Sequence, residues 1–135
     1  MTKLTQGQTE IKAVNVIKVI GFDLDDTLWD VAPVIRSAEK TLSNWVISRF
    51  PQVKYGELQI KRARKKILQE NPAIGFQFTR MRKAILKEIF EAGLKDPLIA
   101  EKLSQEGVEI FIKARSEVDL YPGVEQTLKE LAQKY

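Results

Sequence analysis

The 135-residue chain contains neither cysteine nor histidine. The first absence removes disulfides, thiolate chemistry and sulfur metal ligands; the second removes imidazole bases and zinc-type nitrogen sites. Long apolar runs are also missing, since nothing approaches the roughly 20 residues that a membrane-spanning helix needs. Near the N-terminus, Lys3, Glu10 and Lys12 precede only a short apolar run broken by Asn15 and Lys18. That pattern speaks against a signal peptide and makes the cytoplasm the expected compartment. Any catalysis must then come from Asp, Glu, Lys, Arg, hydroxyls, backbone amides or a hard metal ion bound through oxygen.

What the chain does contain suits one domain with a modest core: 44% apolar residues and two tryptophans argue against disorder. The formal charge of +4 is unevenly placed, with ten basic residues against three acidic ones between Lys54 and Glu88. Lys61, Arg62, Arg64, Lys65, Lys66, Arg80, Arg82 and Lys83 could steer anions, bind nucleic acid or meet an acidic partner; a solvated helix face is the favoured reading. Aromatic side chains do not interleave these charges as a base-stacking platform would require.

Residues 1–12 read as a polar leader. Val14, Val16, Ile17, Val19, Ile20 and Phe22 form a nearly continuous β-branched run, which predicts a central strand buried on both faces. Helical periodicity follows. Pro33 suits a first turn, and Ile35, Ala38, Leu42, Trp45, Val46 and Phe50 make a stripe up to the Phe50-Pro51 break. A second helix is expected over Glu57 to Glu70 with Leu58, Ala63, Ile67 and Leu68 inward. A third runs from about Phe78 to Ala92 with Gly93 as its cap. Asp96-Pro97 opens a fourth, carrying Leu98, Ile99, Leu103, Val108, Phe111 and Ile112, with a break possible at Gly107. Together the four predict a small helical bundle. After the turn Leu120-Tyr121-Pro122-Gly123, Val124, Leu128 and Leu131 mark a last short helix. One predicted strand has no sheet partner within the chain, so the sequence reads as part of a larger layered fold.

The chemistry concentrates in Asp23-Leu24-Asp25-Asp26-Thr27-Leu28, directly after the apolar run. Three clustered carboxylates repel one another and carry a desolvation cost unless a cation or a proton relieves them. A strand-end turn with a cap does not call for three of them, so Asp23 and Asp25 read as a site. Asp26 and Asp30 read as turn and cap carboxylates.

This motif resembles the first motif, Asp-x-Asp-x-Thr, of the haloacid dehalogenase superfamily. Trp29-Asp30, the helical segment and Leu120-Tyr121-Pro122-Gly123-Val124 resemble its members with a helical cap inserted just after that motif, among them bacterial nucleotide and sugar phosphatases. The resemblance implies an α/β fold with a Rossmann-like parallel-sheet core, here represented by its first strand only. Residues 13–30 would hold that strand and the Asp motif, 31–118 the cap, and 119–135 the return into the core.

It also implies a hydrolase, an Mg²⁺-dependent phosphatase acting on a small phosphorylated metabolite such as a nucleotide, sugar phosphate or flavin-pathway intermediate. Asp23 would be the nucleophile that forms an aspartyl-phosphate, and Asp25 the acid and then the base. Asp23 through its carboxylate and Asp25 through its backbone carbonyl would hold Mg²⁺. Leu24 and Thr27 would contact the substrate, Thr27 also ordering the loop. Dehalogenases of the superfamily depart from the pattern at the position of Asp25. The later motifs of the family do not occur in these 135 residues, so the chain alone is expected to be inactive or nearly so, with possible self-association through the unpaired strand. A phosphosugar mutase of the same superfamily, or a basic helical module binding nucleic acid or an acidic partner, are the alternatives.

Overall fold

Helix α1 (Val31–Arg49) begins where the sequence supplies capping groups, and the Asp30 carboxylate accepts the Ala32 N–H at its N-terminus. Its inward face repeats every four residues, Val34, Ala38, Leu42 and Val46, all buried. The helix stops at Phe50, whose backbone is pushed out of the helical region by the following Pro51. The computed structural model describes residues 16–135. Helix α2 (Glu57–Glu70) buries Ala63 and Ile67 and ends at Asn71, before a 3₁₀ turn over Pro72–Phe76. Helix α3 (Phe78–Leu94) buries Met81, Ile85, Leu86, Ile89 and Phe90.

Helix α4 (Pro97–Arg115) has the strongest start, with the Asp96 carboxylate accepting from both Leu98 and Ile99 N–H groups and Pro97 in the first turn. It lies against both α3 and α1, and α2 lies against α3. The resulting core is contiguous, and at one end Trp45, Phe50 and Phe90 meet edge to face with ring centroids 5.3 to 5.9 Å apart. Helix α5 (Val124–Ala132) follows Gly123, whose φ of 84° is one that favours glycine, and α5 buries no residue.

The α/β fold class expected from the sequence does not hold. Among the described residues there is no β-strand, and the ladder is reduced to two isolated bridges, Asp25 with Trp29 and Trp29 with Leu120. A strand is defined by its pairing partner, and the Val16 to Phe22 run has none here: Val16 is 72% and Val19 82% exposed. Its start at residues 13–15 lies outside the described residues, as does the expected leader over 1–12.

Four smaller expectations also change. Leu58 faces solvent, and so do Leu98, Ile99 and Ile112 of α4. Val108 and Phe111 of the expected stripe are buried, and Ala100, Ser104 and Gly107 share their buried face. Ala100, Ser104 and Gly107 admit close helix approach, so this part of the interface is marked by small size as well as by hydrophobicity. At Gly107 an added Cβ would lie 2.9 Å from Leu86 Cδ1, which is why glycine sits mid-helix without breaking it. Gly93 likewise lies inside α3, where a Cβ would collide with Val53, and Lys95 takes the left-handed cap conformation with φ of 57°.

Candidate active site

The acidic segment is a tight loop running into α1. Thr27 and Leu28 N–H groups both donate to the Leu24 carbonyl, and Asp26 N–H donates to the Trp29 carbonyl at 2.8 Å. Asp26 adopts φ of 61°, a region aspartate visits more readily than most residues. Its carboxylate accepts the Val31 N–H at 3.0 Å, so Asp26 and Asp30 together satisfy two of the free amides at the start of α1. Both carboxylates are thereby committed to turn and cap.

The other two are not. Asp23 receives the Thr27 hydroxyl at 3.1 Å, which ties the start of the loop to its crest. Asp25 receives Trp29 Nε1 on Oδ1 at 3.0 Å and the Arg115 guanidinium on Oδ2 at 2.5 Å. Asp23, Leu24 and Asp25 line a common cavity of about 590 Å³. Leu24 is half-exposed there, and Thr27 stands behind Asp23 through its hydroxyl.

In the sequence, Trp29 is marked only by the family resemblance, and Arg115 carries no signal. Arg115 is 90 residues from Asp25 in the chain and is one of two basic residues in the last turn of α4, so only the fold brings the two together. The contact follows from how the loop and the return segment run side by side: Trp29 bridges Leu120, and Tyr121 N–H donates to the Leu28 carbonyl at 2.9 Å. The Tyr121 phenol is pushed above its ordinary value by partial desolvation and then by the Asp30 and Asp26 charges.

Asp25 and Arg115 also border a second cavity, of about 390 Å³, under the helical bundle. Phe78, Arg82, Phe111 and Ile112 contribute to its walls. Arg82 lies over the Phe111 ring, 3.5 Å from its centroid, and pairs with Glu39 at 2.7 Å.

Half of the basic residues between Lys54 and Glu88 are paired with acidic side chains. Lys61 pairs with Glu57, Lys66 with Glu88, Lys83 and Lys87 with Glu101, and Arg80 donates to Gln77.

Hard oxygen donors of the kind Mg²⁺ prefers are present in Asp23 and the Asp25 backbone. Among the described residues no three acidic side chains gather to hold an ion. Among them, too, no helix is long and apolar enough to cross a membrane.

Comparison with known proteins places these features in context. A family model described as a hydrolase, haloacid dehalogenase-like hydrolase, matches residues 17–134. The chain is 32% identical over 124 residues to the 5-amino-6-(5-phospho-D-ribitylamino)uracil phosphatase of Escherichia coli, covering 88% of this chain and 50% of that protein. It is also similar to the crystal structure of a 2-haloacid dehalogenase from Pseudomonas syringae pv. Tomato, with a TM-score of 0.74, 32% identity, and 82% of this chain matched to 48% of that one. The chain thus spans about half the length of these relatives.

Proposed function

The chain belongs to the haloacid dehalogenase-like hydrolases, and from that membership we propose that it carries the nucleophile and the acid–base group of a phosphomonoester phosphatase. The observation that carries this reading is Asp25. Its two relatives represent different chemistries, and a second carboxyl two residues after the nucleophile serves phosphoryl transfer, where the leaving alkoxide must receive a proton. A halide leaving group needs none.

In the proposed reaction an Asp23 carboxylate oxygen attacks phosphorus as the bond to the ester oxygen breaks, leaving an aspartyl-phosphate. The ester oxygen takes its proton from the Asp25 carboxyl. Asp25, now a carboxylate, removes a proton from water as that water attacks phosphorus, and inorganic phosphate leaves with Asp23 restored. The Thr27 hydroxyl, donating to Asp23 Oδ2, leaves Oδ1 as the attacking atom. Mg²⁺, with Asp23 and the Asp25 carbonyl as this chain's donors, would screen the repulsion between carboxylate and phosphate. Residues 31–118 form the cap of this proposal, joined to the motif by the paired segments around Trp29 and Leu120.

The substrate is a small phosphorylated metabolite. The E. coli relative's phosphorylated ribitylaminouracil is the first compound to assay. The test is metal-dependent hydrolysis of an aryl phosphate by the product of the complete gene, combined with trapping of an acid-stable, hydroxylamine-labile phosphoryl-enzyme. Asp23→Asn keeps the shape and removes the attacking charge, so both labelling and turnover should vanish. Normal labelling in that variant would remove Asp23 from the role.

A further inference from the structure

Two cavities meet at one ion pair. The cavity of about 590 Å³ contains Asp23, and the cavity of about 390 Å³ lies under the bundle; Asp25, Ile112 and Arg115 border both. A substrate with phosphorus at Asp23 and its organic part under the bundle must pass where Arg115 grips Asp25. The pair observed therefore closes the route that such a substrate would occupy.

The grip is weak enough to open. The Arg115 and Asp25 side chains are 45% and 40% exposed, and ion pairs this open to water hold only weakly. A phosphate monoester offers three oxygens and up to two negative charges to the same planar donor fork, against one charge on a carboxylate. Such an anion is the stronger partner. Ser116 and Val118 follow Arg115 along the cavity wall beside Asp23, so the guanidinium stands at the boundary of the reacting cavity without any move of α4.

We propose that Arg115 is a substrate-anchoring residue that exchanges partners: it holds Asp25 in the empty site and transfers to the phosphate of an incoming monoester, which frees Asp25 Oδ2 and opens the passage between the two cavities. The proposal rests on the phosphatase reading but adds a residue outside the Asp motif to it. It also makes Arg115 select for phosphorylated ligands before any chemistry occurs.

Trp29 supplies a built-in reporter, because its indole N–H donates to the other oxygen of the same carboxylate. Trp45, the second tryptophan, sits in the core with Phe50 and Phe90 and serves as the internal reference. The experiment follows both indole N–H resonances by NMR while inorganic phosphate is added to the 135-residue chain, with chloride at matched ionic strength as control. Phosphate should move the Trp29 resonance saturably and leave Trp45 in place. In Arg115→Gln the midpoint should rise by about 10- to 100-fold, the loss expected for a charged hydrogen-bonding partner, with Arg115→Lys between the two. An immobile Trp29 resonance in the wild type, or an equal midpoint in Arg115→Gln, would overturn the assignment. If Arg115→Gln also displaces Trp45, Arg115→Lys alone decides, and a midpoint equal to wild type refutes the exchange. Since this readout involves no turnover, it fails independently of the hydrolysis assay that tests the phosphatase reading.

Discussion

Asp25 accepts two donors at once, one from its own loop and one from the far end of the bundle, and this distinguishes it from the three carboxylates around it. Asp26 and Asp30 are spent on backbone amides, and Asp23 on a hydroxyl that orders the loop. The roles proposed for Asp23 and Asp25 differ accordingly. Asp25→Asn keeps the backbone carbonyl and the Trp29 contact geometry but cannot transfer a proton. Turnover of an aryl phosphate by the complete protein should fall by roughly 10²- to 10⁴-fold, while the phosphoryl-enzyme remains trappable. A smaller deficit with a good leaving group such as p-nitrophenolate than with an alkyl phosphate is the expected pattern, because a good leaving group needs less protonation. Equal deficits for both would count against Asp25 as the acid. The turn and cap roles of Asp26 and Asp30 were legible in the sequence, because such positions are local. The guanidinium opposite Asp25 was not, because its position depends on the whole bundle.

Among the helices, α3 and α4 make the most extensive contact, sealed at its surface by Glu101 between Lys83 and Lys87 at 2.7 and 2.9 Å. Hydrogen bonds from Lys83 and then Lys87 hold the Glu101 carboxyl down at about 2 from its ordinary 4.5. A carboxylate that is easier to ionise in the folded state stabilises the fold above pH about 4.5 and loses that contribution as pH falls toward about 2. Solvent exposure keeps the effect small. Glu101→Gln should therefore lower the thermal midpoint slightly at pH 6, and the gap to wild type should close between pH 4.5 and 2. A gap that persisted unchanged at the acid end would mean that the pair contributes nothing through its charge. The existence of α1 to α4 could be read from periodicity and caps, but which face of α4 turns inward could not. A stripe containing alanine, serine and glycine is buried because the neighbouring helices come close, a property of the packed pair and not of the hydropathy pattern.

For the whole molecule, the bundle is closed on itself while the Val16 to Leu24 segment is not. Val16, Ile17, Val19 and Leu24 are each more than half exposed, a density of apolar surface that monomeric proteins rarely leave open. The chain should accordingly self-associate in a concentration-dependent way, seen as a rising average mass in sedimentation velocity. Val19→Lys, placed at the most exposed of these positions, should shift it toward monomer without changing the thermal midpoint of the bundle. A wild-type chain that stays monomeric at high concentration would show that this surface is inert.

The sequence by itself determined the motif, the helices and the family, because cap residues, helical stripes and an Asp-x-Asp-x-Thr spacing are local properties that survive without a fold. It also pointed to a strand, since an apolar β-branched run has that propensity wherever it sits. Only the tertiary structure decided that this run stays unpaired among the described residues, because pairing belongs to two segments and not to one. It likewise decided that Gly107 joins helices instead of ending one, and that Arg115 meets Asp25 across 90 residues of chain. Those contacts arise from distances between elements, which residue order does not contain until the bundle closes.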